Sequence, residues 1–89
     1  MMEAKELKRG KDGYIDAEVR DGNDYLSYFY RPTKGWVACF GIVDNRDVKG
    51  DSWSMRRLSW MGSGRGRISE KTWDKIHNMQ KYFLENSPK

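Results

Sequence analysis

Few residues in this sequence are of a type that does chemistry by itself. Cys39 and His77 each stand alone, three carboxylates (Asp44, Asp47 and Asp51) crowd one stretch, and "WMGSGRGRIS" interleaves glycine with Arg65 and Arg67. Structural zinc takes four Cys or His ligands, so a zinc site is excluded by supply. Cys39 lies in the apolar run "WVACFGIV" and reads as a small buried hydrophobe; a lone thiol also forms no internal disulfide and fits a reducing compartment. His77, one position from the apolar stripe of a helical segment, reads as a boundary residue, because no acid or nucleophile can be assigned to it.

The carboxylates do not converge on a cation site. Asp16 and Glu18 share one strand face, and the Asp44 to Asp51 stretch lacks the glycine and glutamate positions of a calcium loop. "DVK", Asp47 to Lys49, has the acid-x-lysine spacing of many nucleases, but a chain of 89 residues has no room for the flanking core such a site needs. These acids read as solvated, no cofactor or metal is expected, and an enzyme is the least supported class.

The glycine segment is more informative. Backbone amides in a glycine-rich turn before a helix can point at an anion, and the helix end adds partial positive charge. Gly64, Arg65, Gly66 and Arg67 therefore form a candidate anion or nucleic-acid contact, although the spacing fits neither a P-loop nor a dinucleotide fingerprint. A connector between strand and helix is the competing reading. Arg56 and Arg57 lie close by, between Trp53 and Trp60. Cations interleaved with aromatics suit a sheet that neutralises phosphates and stacks bases. Tyr28, Tyr30, Trp36 and Trp53 are the aromatic surface expected to accompany them.

Elements that would position these residues follow from the pattern. Aromatics make up 13% of the chain and charged residues 34%, a globular composition for one small domain. Residues 1–12 are charged, with little to bury, and are expected to be a frayed arm; residues 13–89 would form the single domain. "YIDAEVR" alternates with period two, "DGND" supplies a hairpin turn, and "YLSYFYR" forms a second strand. "PTKG" turns the chain into "WVACFGIV", which is apolar on both faces, and "DNRDVKGD" reads as a polar loop. "SWSMRRLSW" reads as a fourth strand, with a bulge at Arg56 and Arg57 to bring its apolar pairs into phase. A helix follows, capped by Ser69, stapled by Ile68 and Trp73, carrying the stripe Trp73, Ile76, Met79, Gln80 and Phe83, and ending at Asn86.

The expected fold is α+β: a four-stranded, mainly antiparallel meander with the C-terminal helix across one face. The excess of 17 Lys and Arg over 13 Asp and Glu, +4 overall, favours anionic partners without naming one. Without a secretory-type start or an apolar stretch of membrane length, a cytoplasmic protein that does not engage membranes is expected. Two functions fit: a small non-enzymatic module contacting nucleic acid, or a protein-binding effector or inhibitor, such as a phage or mobile-element accessory protein acting on a host protein or nucleoprotein complex. A homodimer through the uncovered sheet face is compatible with both.

Overall fold

The computed structural model describes residues 1–50, 62–64 and 68–87. Strands β1 (Met2–Arg9), β2 (Ile15–Asp21), β3 (Asp24–Arg31), β4 (Gly35–Val43) and β5 (Arg46–Gly50) form an antiparallel meander in chain order. The short β6 (Gly62–Gly64) extends it beside β5, and helix α1 (Glu70–Glu85) packs across one face. The class is the expected α+β, but the strand count exceeds four because the arm and the polar loop, both read as irregular, are strands, and the glycine segment adds the short β6. The expected strand "SWSMRRLSW", with its bulge, lies outside the described residues.

The first of those segments is the arm. Residues 2–9 pair with β2, Ala4 opposite Val19 and Lys5 opposite Glu18. Met2 and Ala4 pack against the core, while the strand is otherwise exposed. An edge strand is paired on one side only, so it needs few apolar residues, and its lysines discourage pairing with another chain. A register shift at Leu7 brings Glu6 and Arg9 to the same face, where they form an ion pair of 2.6 Å.

The second is the polar loop after β4. Asp44 and Asn45 both adopt positive φ, 53° and 63°, and join β4 to β5 as a tight hairpin. Such a turn requires left-handed backbone at both central residues, which Asp and Asn tolerate best after glycine. The β2–β3 hairpin falls where "DGND" predicts it: Asp21 pairs with Asp24, and Gly22, at φ 63°, takes the first turn position.

Strand β4 carries the irregularity that matters most. Ser27 pairs with Phe40 but Tyr28 pairs with Ala38, so Cys39 is an extra residue with no partner on β3. The bulge reverses the alternation. Trp36 and Ala38 face the helix before it, Gly41 and Val43 stay buried after it, and Phe40 is turned to the opposite face with 51% exposure. Had the strand kept period two, Phe40 and Ile42 would lie under the helix. Gly41 allows the tight approach that follows, since a Cβ there would stand 2.1 Å from the Tyr25 carbonyl oxygen.

Helix α1 begins as its sequence signals. The Ser69 hydroxyl accepts from the Thr72 N–H at 3.2 Å, and Ile68 and Trp73 both pack against the core. Ile76, Met79, Gln80 and Phe83 are buried against Ile15, Ala17, Val19, Leu26 and Tyr28, and Asn86 closes the helix through its N–H to the Tyr82 carbonyl at 3.0 Å. The one polar break in the stripe has a partner: the Tyr28 hydroxyl donates to Gln80 Oε1 at 3.1 Å. Burial pushes the Tyr28 phenol well above its ordinary range, so it remains a donor.

Candidate functional site

The residues singled out by sequence divide three ways. Trp53, Arg56, Arg57, Arg65, Gly66 and Arg67 lie outside the described residues. Gly64 belongs to β6 and pairs opposite Val48, so the glycine segment opens as ladder-paired backbone and not as a free loop. Tyr28, Tyr30 and Trp36 lie on the helix side, which corrects the expectation of an exposed aromatic surface built from them. Ala17 is opposite Tyr28, and Tyr30 is opposite Trp36, so all share the face that α1 covers. Tyr28 stacks on Phe83 with centroids 4.1 Å apart, Trp36 meets the same ring edge-on at 5.0 Å, and Tyr30 meets Trp36 at 5.2 Å.

Among the described residues of the sheet, the aromatics on the outer face, away from the helix, are Tyr25, Phe29 and Phe40. Three rows of paired residues cross that face. Glu3, Arg20, Tyr25, Ile42 and Asp47 make one, and Lys5, Glu18, Ser27, Phe40 and Lys49 the next. Lys8, Asp16, Phe29 and Val37 make the third. Tyr25 and Phe40 touch edge to face at 6.2 Å. The Arg20 guanidinium lies over the Tyr25 ring at 4.9 Å and that of Arg31 over the Phe29 ring at 4.7 Å. Such stacking holds a cation flat on an apolar surface.

Charge on this face is unevenly neutralised. Glu18, only 7% exposed, takes Arg20 as its partner at 2.9 Å. Lys5, Lys8, Arg31 and Lys49 form no ion pair among the described residues, against Glu3 and Asp16 as carboxylates in the same condition. The unneutralised charge on the outer face is therefore positive.

Cys39, expected in the core, is half-buried at the bulge. Burial and the Asp16 carboxylate push its thiol above the ordinary value, with Arg31 opposing. A thiol held protonated is a poor nucleophile. His77 sits at the helix margin as expected, stacked on Trp73 at 5.9 Å. Among the described residues no group of three or more His, Cys, Asp or Glu is placed to share a metal ion, and no helix is long and apolar enough to cross a membrane.

Asp44, read from sequence as a solvated carboxylate, is instead tied to the helix start. Its Oδ2 accepts from the Thr72 hydroxyl at 2.9 Å and its Oδ1 from Lys75 Nζ at 3.2 Å. Lys75 also pairs with Asp24, whose Oδ1 accepts the Asp44 N–H at 3.0 Å. The Thr72 hydroxyl and the Lys75 ammonium hold the Asp44 carboxyl below the usual carboxylate range. In the window between that lowered pKa and the unfolded value of about 3.9, the unfolded chain binds more protons, so stability rises with pH. The contribution is complete above the unfolded value and is lost as pH falls through the folded one. Asp44→Asn keeps a residue that tolerates positive φ but removes the charge. Its melting temperature is expected to lie below that of the wild type near neutral pH and to converge with it as pH falls below the lowered pKa of the folded carboxyl. A difference that does not shrink on acidification would mean that the carboxylate's charge is not what ties the hairpin to the helix.

The outer face is thus the one surface among the described residues that combines an exposed aromatic ring, guanidinium groups lying flat and unneutralised cations. The chain matches no protein-family model, no curated protein and no solved structure.

Proposed function

We propose that this protein is a non-enzymatic nucleic-acid-binding module whose contact surface is the outer face of the sheet. The observation that carries the reading is the positive, unneutralised charge of Lys5, Lys8, Arg31 and Lys49 around the aromatics Tyr25, Phe29 and Phe40. Phosphates need cations without carboxylate partners, and binding releases the counterions that the nucleic acid had condensed. Arg56, Arg57, Arg65 and Arg67 stay with the proposal as further phosphate contacts on sequence grounds. The reading is non-enzymatic on sequence grounds, and among the described residues the raised Cys39 thiol is a poor nucleophile.

Fluorescence anisotropy with labelled oligonucleotides at about 50 and 200 mM salt tests this. Affinity is expected to fall steeply with salt, and Lys5→Gln, Lys8→Gln and Lys49→Gln are each expected to reduce the log–log salt slope by about 1 where the lysine meets a phosphate. No binding at micromolar protein, or binding indifferent to salt and to all of these substitutions, would refute it.

Glu18 favours a second reading. A nearly buried carboxylate paired with Arg20 in the middle of the face is a mixed-charge feature that suits a protein partner, and Arg and Tyr are enriched among interface anchors. A protein effector or inhibitor would retain a defined partner in a pull-down after nuclease treatment, whereas a nucleic-acid module would lose what it captured.

A further inference from the structure

From the geometry of the outer face we infer that the nucleic acid is single-stranded and that an unpaired base stacks on Phe40; this rests on the nucleic-acid reading above and names its substrate class. Three observations lead there. First, Phe40 is 51% exposed and, among the described residues, meets Tyr25 only edge-on with 83° between the ring planes and has no cation over it. Among the described residues nothing stacks on its π face, whereas those of Tyr25 and Phe29 each carry a guanidinium. Second, the row through Phe40 places Lys49 directly opposite on one neighbouring strand and the small Ser27 on the other, which leaves space above the ring beside a cation that can reach a phosphate. Third, the neighbouring strands are joined by tight turns, at Gly22 and at Asp44 and Asn45, and among the described residues the face offers no helix or protruding ribbon that could enter a major groove. A sheet surface of this form recognises bases that are already splayed out of a stack, as single strands allow and duplexes do not.

The bulge at Cys39 is what creates the platform. Had Cys39 been paired in regular alternation, Phe40 would fall in phase with Trp36 and Ala38 and point under α1, so the irregularity places an aromatic ring where packing has no use for it. Base selectivity should be weak. Ser27 and Tyr25 are the neutral hydrogen-bonding side chains among the described residues of these rows, and every base presents a π face to Phe40.

The test is a comparison of labelled oligothymidine, oligoadenine and a duplex of mixed sequence against wild type, Phe40→Ala, Phe40→Leu and Phe40→Trp, with circular dichroism to establish that each variant is folded. Phe40 is half-exposed, so these changes should leave the fold intact. The wild type is expected to prefer both single strands to the duplex by at least tenfold. Phe40→Ala should weaken single-strand binding by about 5- to 150-fold, the range for loss of one base–aromatic stack. Phe40→Leu, which keeps an apolar side chain but no π face, should fall with it, and Phe40→Trp should restore binding. If the duplex binds as well as the single strands, or Phe40→Leu binds like wild type, the single-strand inference fails while the nucleic-acid reading stands. If no nucleic acid binds, both fail.

Discussion

Gly41→Ala is expected to cost at least about 3 kcal/mol and to leave much of the protein unfolded at room temperature, the upper range of what overpacking does. The position is not special in its backbone angles; what forbids a side chain is distance. A methyl group at Gly41 would stand 2.1 Å from the Tyr25 carbonyl oxygen, 2.9 Å from Leu26 Cα and 2.9 Å from Leu26 Cδ2. The first two atoms are backbone, so relief requires β3 and β4 to separate, and these central strands carry much of the sheet's ladder. A domain of this size has a total stability of about 5 kcal/mol, so such a loss removes most of it. Gly22→Ala supplies the contrast. Gly22 needs positive φ, at 63°, but has open space where a Cβ would go, so the cost should be limited to about 1 to 2 kcal/mol. Thermal melts by circular dichroism, with amide dispersion by NMR, would compare the two. A Gly41→Ala protein that melts within a few degrees of wild type would mean that the bulged register of β3 and β4 is not the one adopted.

Phe83→Ala is expected to cost about 3 to 5 kcal/mol, enough to bring the folded and unfolded states near balance. Phe83 is fully buried, and it joins helix and sheet: Tyr28 lies parallel to it with 8° between the ring planes, and Trp36 meets it at 83°. Both partners rise from the sheet, so truncation opens a cavity between layers that neither strand nor helix can close alone. Phe83→Leu retains most of the volume and should cost less than about half as much. Urea titration followed by tryptophan fluorescence is a suitable measurement, with a change below about 1 kcal/mol contradicting this packing. The Tyr28 hydroxyl to Gln80 bond lies one helical turn away, so a loosened helix should also expose that buried pair.

The two substitutions act on the functional face differently. Phe83→Ala removes contact on the helix side and leaves Phe40 where it is, so binding by the fraction still folded should match wild type. Gly41→Ala disturbs the bulged strand itself. Measured per folded molecule, loss of binding in the second variant but not the first would tie the outer face to the register of β4.

What the sequence determined by itself was local. Period-two alternation from Ile15 to Val19, a turn at Gly22, the Ser69 cap and the stripe through Ile76, Met79 and Phe83 each rest on interactions among near neighbours in the chain, and each predicts its element. The α+β class follows from them. The strand at residues 2–9 and the hairpin at Asp44 were missed for reasons that are also local. An edge strand needs no apolar alternation, and the Asp-Asn pair that permits two left-handed residues is a weaker signal than Asn-Gly, while β5 after it has Val48 as its one apolar residue and so no alternation to mark it.

Which aromatics face outward was decided only by the tertiary structure. In "WVACFGIV" every position is compatible with burial, so the one-residue shift at Cys39 leaves no trace in hydropathy, yet it reverses the face of every residue after it. Tyr28 and Trp36 were drawn under the helix because Ala17 and Ala38, small residues beside them, leave space for large rings to meet Phe83. Phe40 was turned outward by the same register. The sequence supplied rings and cations in abundance; the pairing of β3 with β4 settled which rings close the core and which face the solvent.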